Sequence, residues 1–473
     1  MQLSRRKFIC KTCTTAGALS VAAALERYGV LNALAQGGGN YRALVCIFLF
    51  GGNDGNNLIV PMVSNVAGFD YASYLAVRAA QSSGGLALTQ ADLTPTAVQA
   101  ATAQPSGVRD FAFHPALAQT RSLFQSSRAA VVANMGTLYE PITRAEYLAR
   151  SKPVPANLFS HSDQQQQWQT SQFDGFGTTG WAGRTADRVH TLFNVGAQYP
   201  PITTVAGTAI ICTGIQTQPY ALAPTTNPLS IGLSIAGAGS PEANARVASL
   251  QQLLTFDTGI SMIQAASSIT GAALQQSAAL SAALAGITPL ATAFPNTSIG
   301  NQLAQIARIL KARTALDANL QRQVFFASMG GYDTHSNQVP DQNTLFTQLD
   351  AGLRAFYDAL VELSLVNEVT TFTLSEFGRT LRPASGAGSD HGWGSHQIVM
   401  GGAVRGGDIY GRLPQFALGM GDDASSNGRW IPTTALDQFG ATLALWFGVP
   451  PGDLPAVFPN LANFPTANLG FMM

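Results

Sequence analysis

Continuous apolar runs alternate along the chain with segments whose apolar residues recur at helical spacing. The run at 42–50 is continuously apolar after Arg42, as is typical of a central strand covered on both faces. Similar runs predict further strands at 129–136, 201–207, 322–331, 368–378 and 396–407. Helical spacing predicts helices at 114–127, 301–316, 344–363 and 434–448. This alternation favours an α/β fold, a three-layer sandwich around a mostly parallel central sheet.

The pattern changes between about residues 208 and 301. This segment is rich in alanine, serine, threonine and leucine, and poor in aromatic residues and histidine. We interpret 208–301 as a helical insertion or cap rather than a separate catalytic domain. The length of the chain suits one large domain with insertions or two domains. We predict the former, one domain that spans 36–473 and contains this insertion.

The N-terminal segment has the features of an export signal. Arg5 and Arg6, followed by an aromatic residue, resemble a twin-arginine signal, and the weakly apolar run after them is too short to span a bilayer. Ala33 and Ala35 place small residues two apart, as signal peptidase requires. We predict a twin-arginine signal peptide at 1–35, with a basic disordered N-terminus as the alternative.

Export by the twin-arginine translocase has consequences for location. The processed protein is expected in the periplasm or outside the cell, and it is not expected to be an integral membrane protein. It would keep Cys46 and Cys212 of the four cysteines. Cys46 lies in an apolar run, where a buried free thiol is the usual state, and a disulfide with Cys212 is the alternative.

The amino-acid composition of the chain disfavours nucleic acid as a partner. The chain is 46% hydrophobic and 11% charged, against a usual value of about 25% charged, and its formal net charge is zero. Without a basic stripe, nucleic acid is disfavoured as a partner. A surface of glutamine, asparagine, serine and threonine fits adhesion or complex formation as well as catalysis.

Polar clusters follow three of the predicted strands. They read GGNDGNN, GGYDTHSNQ and SEFGRT, and they follow the apolar stretches at 42–50, 325–329 and 369–374. In a parallel sheet the carboxyl ends of the strands line the ligand crevice. These three clusters are therefore expected to meet in one place.

The first two clusters contain acids and a histidine. Asp54 follows two glycines, which let the chain turn sharply and bring a carboxylate near a ligand, although an Asx-rich turn explains it equally. Asp333 and His335 stand two apart, a carboxylate–imidazole pair suited to zinc or manganese. The alternative is a helix-capping aspartate with a surface histidine.

Glu376 ends a strand rich in β-branched residues. A buried acid there is costly unless it is paired or bound to a metal. An ion pair with Arg379 or Arg382 is the structural alternative to metal ligation.

Two further motifs carry histidine. SDHGWGSH supplies Asp390, His391 and His396, with glycines that allow close approach of the backbone. NLFSHSDQQQQWQT holds Ser160 and His161 before a helix-compatible run. Ser160 can cap that helix, or it can act as a nucleophile where the helix dipole favours an anionic substrate.

Together these motifs resemble the bacterial domain-of-unknown-function family numbered 1501, which is placed in the alkaline phosphatase and sulfatase superfamily. The resemblance covers about residues 41–449, and it rests on FGGNDGNN, FSHSDQQ, GGYDTHSNQ, SEFGRT and DHGWGSHQIVMGGAVRGG. It implies an alkaline phosphatase-like fold that holds two metal ions at the strand ends. The ions implied are zinc or manganese, with calcium or magnesium as alternatives.

The resemblance also implies roles for individual residues. Asp54 matches the first-strand acid and Ser160 the nucleophile, while Arg379 can steady negative charge. The remaining ligand candidates are Asp333, His335, Glu376, Asp390, His391 and His396.

One departure from the superfamily stands out. Its late-strand Asp–His pair falls on Glu376 and Phe377, and Phe377 cannot bind metal, so His161 is the candidate for the missing imidazole. One ion, two ions in altered geometry, or a loss of catalysis are all compatible with this change. The expected function is an exported metal-dependent hydrolase of phosphate or sulfate esters, on a small molecule or glycan. The alternative is a non-catalytic binding protein with a degenerate pocket.

Overall fold

The first apolar run forms strand β1 (Arg42–Leu49), which is buried at every position from Ala43 onward. Successive side chains in a strand point to opposite faces, so both faces of the sheet are covered at β1. The predicted signal peptide lies outside the described residues. The computed structural model describes residues 41–79, 84–174, 177–222, 240–256 and 259–473.

The described residues form twelve strands and thirteen α-helices. The strands are β1 Arg42–Leu49, β2 Ile59–Pro61, β3 Ala97–Gln99, β4 Asp110–Phe113, β5 Ala129–Gly136, β6 Ile202–Thr204, β7 Tyr220–Ala221, β8 Arg322–Met329, β9 Val369–Ser375, β10 Ser395–Met400, β11 Ile409–Tyr410 and β12 Thr434–Ala435. The helices are α1 Gly55–Leu58, α2 Tyr71–Arg78, α3 Gln90–Leu93, α4 Ala118–Gln125, α5 Arg144–Ala149, α6 His161–Thr170, α7 Trp181–Phe193, α8 Pro241–Leu254, α9 Ser261–Ala285, α10 Ser298–Leu316, α11 Gln338–Glu362, α12 Leu436–Phe447 and α13 Leu454–Val457.

The main sheet has nine strands in the order β11-β5-β10-β9-β1-β8-β6-β7, with β12 also paired to β5. Every pair is parallel except the two that β10 makes, with β5 and with β9. The central strand β1 lies between β8 and β9, so the loops that leave these three strands meet at one edge. The predicted α/β fold with a mostly parallel central sheet is confirmed.

Helices cover the sheet through apolar stripes. Helix α10 buries Ile299, Leu303, Ile306 and Leu310, which recur at the spacing of one helical face. Helices α7 and α10 contact β8, and α12 contacts β1. A smaller antiparallel sheet, β2-β4-β3, stands apart from the main one.

Several predicted elements differ in extent, among them the strand at 201–207, which is shorter at Ile202–Thr204, and the helix at 114–127, whose α-helical part is Ala118–Gln125. The run at 396–407 forms a strand only as far as Met400, because Gly401 has a φ of +156° and the chain turns there. Helix α11 begins at Gln338, six residues before its predicted start at 344, because its first turns bury polar side chains that hide the apolar period.

The segment at 208–301 contains helices α8 and α9, and also β7, which joins the edge of the main sheet. Helix α9 has no charged residue, and its fully buried positions, Leu280, Ala283 and Leu284, all lie near its C-terminal end. No helix in the described part of the chain combines the length and apolar character that a membrane crossing needs. Cys46 and Cys212 are buried free thiols.

Candidate metal centre

The chain leaves β1 through a turn that only glycine fits. Gly51 has a φ of +118°, and a Cβ on it would lie 2.2 Å from the backbone nitrogen of Asp333. Gly52 has a φ of +84°, and a Cβ there would lie 2.2 Å from the ring of Phe377. The two glycines thus let the loops after β8 and β9 close tightly around the end of β1.

Asp333 lies at the centre of the resulting cluster. Its Oδ1 is 3.0 Å from His335 Nε2 and 3.2 Å from His391 Nε2, and its Oδ2 is 3.4 Å from His161 Nε2. Arg379 Nη1 also donates to Oδ1 at 2.7 Å. Partial burial raises the pKa of Asp333, but the hydrogen bond and charge of Arg379 outweigh it and hold that pKa below its ordinary value.

Two histidines are oriented by oxygen acceptors on their outer nitrogens. His391 Nδ1 donates to the carbonyl of Phe159 at 2.7 Å, and His161 Nδ1 lies 3.1 Å from Glu376 Oε1. When neutral, both rings therefore carry their free lone pair on Nε2, which faces Asp333. Metal-binding histidines are usually fixed in this way by a second oxygen partner.

The donor set fits a divalent transition metal. The ligand atoms of His161, Asp333 and His391 all lie within 4.8 Å of one another. Ligands about 2.0–2.1 Å from a tetrahedral zinc ion stand about 3.3 Å apart. His391 Nε2 is at this distance from Asp333 Oδ1, at 3.2 Å, and His161 Nε2 is at this distance from the other oxygen, Oδ2, at 3.4 Å. His335 adds a further imidazole, with its Nε2 3.0 Å from His391 Nε2.

Glu376 is fully buried at the end of β9 and serves as an anchor. Its Oε1 accepts from Gly51 N at 2.7 Å and Gln165 Nε2 at 3.1 Å, in addition to His161. Its Oε2 is buried and has no hydrogen-bond partner among the residues that the structure describes. One oxygen thus orients His161, and the other accepts no hydrogen bond from those residues.

Ser160 sits between two residues that touch the cluster, Phe159 and His161. It is the N-cap residue of α6, but its side chain makes no capping hydrogen bond, and its Oγ instead donates to Asp163 Oδ2 at 2.5 Å. Phe159 has a φ of +75°, which is uncommon for a bulky residue and marks local strain. The strained backbone aims the Phe159 carbonyl at His391.

Asp54, the predicted first-strand acid, lies outside the cluster. It is buried, and its carboxylate binds Arg78 Nη2, Gln338 Nε2 and the backbone nitrogen of Asn56. A polar chain still connects it to the centre: Gln338 accepts from Ser389 Oγ, which in turn accepts from Arg379 Nε.

The other predicted residues are spread around the cluster. His396 is fully buried, and its Nδ1 accepts from Asn134 N at 2.9 Å, away from Asp333. Burial lowers the pKa of His396 to about 4. Asp390 is at the solvent side, with its Oδ1 3.7 Å from His335 Nδ1.

Arg379 is also committed within the protein. Besides Asp333, its guanidinium donates to the carbonyl of Gly51 and to both the hydroxyl and the carbonyl of Ser389. The structure adds a second arginine that the sequence did not indicate. Arg429 Nε donates to the carbonyl of His391 at 2.9 Å, and its guanidinium lies 4.4 Å over the ring of Phe159.

The fold and site define an α/β protein with a candidate metal centre at the carboxyl ends of its central strands. The family described as "Protein of unknown function (DUF1501)" matches residues 41–441, and the chain belongs to it. A search of curated protein sequences found no match to this chain.

Two solved structures follow a similar course of the chain. One is the crystal structure of Ps i-CgsB in complex with k-i-k-neocarrahexaose, 9% identical, covering 89% of this chain and 76% of that one at a TM-score of 0.33. The other is the crystal structure of Ps i-CgsB, also 9% identical, covering 89% and 77% at a TM-score of 0.35. At scores this low, no functional conclusion follows from the likeness.

Proposed function

We propose that this protein is a metal-dependent hydrolase of phosphate or sulfate esters whose ion is held by His161, Asp333 and His391. The observation that carries the proposal is the convergence of two Nε2 atoms and a carboxylate. Each imidazole is fixed from behind by an oxygen, Glu376 Oε1 or the Phe159 carbonyl. Surface acids and histidines do not need such anchoring, whereas metal ligands do.

The donor set favours particular ions. Two imidazoles and a carboxylate suit zinc or manganese better than magnesium or calcium, which prefer oxygen ligands. One ion fits the cluster as it stands. Glu376 Oε2, which is buried and accepts no hydrogen bond in the described part of the chain, is the atom available to a second ion.

A divalent ion bound there would supply charge neutralisation to the non-bridging oxygens of an ester. The nucleophile would be Ser160, whose Oγ proton passes to Asp163 Oδ2, 2.5 Å away, as the bond to phosphorus or sulfur forms. The ester bond to the alcohol breaks in the same step, and the departing alkoxide takes a proton from solvent water. A second water molecule later attacks the phosphorus or sulfur, the bond to Ser160 Oγ breaks, one proton returns to Oγ, and the free acid is released. The N-terminus of α6 favours the anionic group during both steps.

The substrate we propose is a small molecule or a glycan ester. The side chains of Asp333 and His335 are 43% and 48% exposed, so the cluster opens directly to solvent. An open centre of this kind accommodates an ester on a large molecule.

Metal analysis and a panel of p-nitrophenyl phosphate and sulfate esters test the proposal. We expect at least one equivalent of zinc or manganese with measurable turnover. Ser160→Ala should lose turnover and keep its metal, whereas His391→Ala should lose both. His190→Ala, on helix α7 and outside the cluster, should keep both. A metal-free wild type after incubation with zinc or manganese would refute the centre.

A non-catalytic binding protein is the second candidate, and one contact favours it. Arg379 Nη1 already neutralises Asp333 Oδ1 at 2.7 Å, the state expected of a pocket that needs no metal. Metal analysis and the ester panel distinguish the two candidates, because a non-catalytic binding protein of this kind would show neither bound metal nor ester turnover.

We also propose that the protein is exported through Arg5 and Arg6. Changing both to lysine should leave the protein in the cytoplasm at its full length. Cleavage after Ala35 in the exported wild type, seen by N-terminal sequencing, would support the proposal. An exported chain that still begins at Met1 would contradict the predicted processing.

A further inference from the structure

Arg429 is a partly exposed cation beside the candidate metal centre, and some of its hydrogen-bond donors have no acceptor among the described residues. Its Nε donates to the His391 carbonyl, and its guanidinium stacks on the ring of Phe159. Neither Nη group makes a hydrogen bond within the described part of the chain, and no carboxylate there pairs with it. The carboxylate of the nearby Asp423 does not pair with the guanidinium. It accepts hydrogen bonds from backbone N–H groups of its own loop.

The position of the guanidinium is fixed by the frame of the cluster itself. Phe159 holds His391 through its carbonyl and supports Arg429 through its ring. Arg429 therefore stands beside His391, in contact with its backbone carbonyl and with the ring of Phe159. Stacking and the Nε contact restrict the side chain before any ligand arrives, which lowers the entropy cost of binding.

The two arginines of the site differ in what they can still bind. Arg379 is buried and its donors are used by Asp333, Gly51 and Ser389. Arg429 presents two Nη groups that bind nothing among the described residues, and they form a planar fork that matches the oxygens of sulfate, phosphate or carboxylate.

We propose that Arg429 binds a second anionic group of the substrate, next to the ester that the metal centre takes. The substrate class is then a saccharide that carries more than one sulfate, phosphate or carboxylate group. This inference rests on the proposed function for the identity of the reacting group, but the Arg429 subsite is measured separately, by binding.

The probe is sucrose octasulfate, titrated calorimetrically into metal-loaded protein at fixed ionic strength, with sucrose as the uncharged comparison. Wild type should bind the octasulfate and not sucrose. Arg429→Gln should weaken binding at least tenfold, and Arg429→Lys should recover part of the loss. The matched control is Arg405→Gln, an exposed arginine beside the start of β5 at the opposite edge of the sheet, which should bind like wild type.

The variants must first match wild type in metal content and thermal midpoint. No binding of octasulfate by wild type, or equal affinity in Arg429→Gln and wild type, overturns the inference. Failure of the hydrolase proposal looks different: no ester turnover, with octasulfate binding that still depends on Arg429. Ester turnover together with octasulfate binding that does not depend on Arg429 would support the hydrolase proposal and contradict the Arg429 subsite.

Discussion

The ring of Phe377 stacks on the ring of His391, with centroids 4.5 Å apart and planes inclined by 27°. The same fully buried ring lies 4.9 Å from that of His161. Phe377 occupies the position where the superfamily resemblance leads one to expect a metal-binding histidine. It supplies no ligand, but it packs against two imidazoles that do face the cluster, so the change in residue type is accompanied by a different way of building the centre.

Replacing Phe377 with leucine should weaken metal binding by about 10–100-fold, because His161 and His391 lose the surface that fixes their ring planes. The loss of stability should be about 1–3 kcal/mol. Competition with a chelator of known affinity measures the first effect, and urea unfolding measures the second.

The matched control is Phe372→Leu, a buried phenylalanine on β9 that packs edge-on against Phe439. It should lose similar stability and bind metal as wild type does. An equal loss of metal affinity in both variants would mean that packing at Phe377 has no specific role.

A methyl group at Gly51 should displace the backbone of the loop that carries Asp333 and so disrupt the site. At a φ of +118°, and with Asp333 N only 2.2 Å from the added Cβ, Gly51→Ala must shift the loop that carries Asp333. We expect a loss of about 3 kcal/mol or more in the free energy of unfolding, together with loss of bound metal. Gly330→Ala is the control, because a Cβ there meets nothing within 4 Å. Its stability should stay within about 1 kcal/mol of wild type, and a comparable loss there would remove the steric explanation.

The alternation of apolar runs and helical periods was enough to predict the fold, because the long strands of the central sheet are buried at nearly every position, on both faces. The placement of polar clusters after β1, β8 and β9 also predicted the edge at which the site lies. The sequence pattern did not predict which side chains at that edge pair with one another. Nothing in the sequence near Asp54 indicates that Arg78, 24 residues later, takes its carboxylate.

The contributions of Phe159 and Arg429 were equally invisible in the sequence. A positive φ at phenylalanine follows from tertiary contacts, not from local preference. Arg429 lies 38 residues beyond His391 and reaches only its backbone carbonyl, so no motif spacing records the contact. Sequence patterns report which side chains are buried, whereas these contacts depend on how distant loops close.

His396 should make the protein sensitive to acid. Burial lowers its pKa to about 4, although the nearby charge of Asp54 acts in the opposite direction. An unfolded histidine binds a proton below about pH 6.5, so between about pH 6.5 and 4 the unfolded state binds more protons and stability falls as pH falls. The stabilisation is fully present above pH 6.5, and the loss by pH 4.5 should be about 2–3 kcal/mol.

Urea unfolding at pH 7 and pH 4.5, for wild type and His396→Gln, isolates this effect. Asp437, whose pKa burial raises to about 7, acts in the opposite sense, but it is present in both proteins and cancels in the comparison. The variant should lose less stability on acidification than wild type. Identical losses would show that His396 does not carry the acid sensitivity.

A substitution at Asp54 tests whether this residue is a structural acid or a metal ligand. In the structure it pairs with the fully buried Arg78 and has no atom in the cluster of His161, Asp333 and His391. Asp54→Asn should therefore cost about 3–5 kcal/mol, because it leaves a buried guanidinium without its counter-charge, while the metal content of the folded protein stays the same. Adding Arg78→Met to that variant should recover part of the lost stability, since the unpaired charge is then gone. Metal analysis of each variant, at temperatures where urea titration shows it folded, checks both parts. Loss of metal with stability intact would instead make Asp54 the first-strand ligand that the sequence motif suggested.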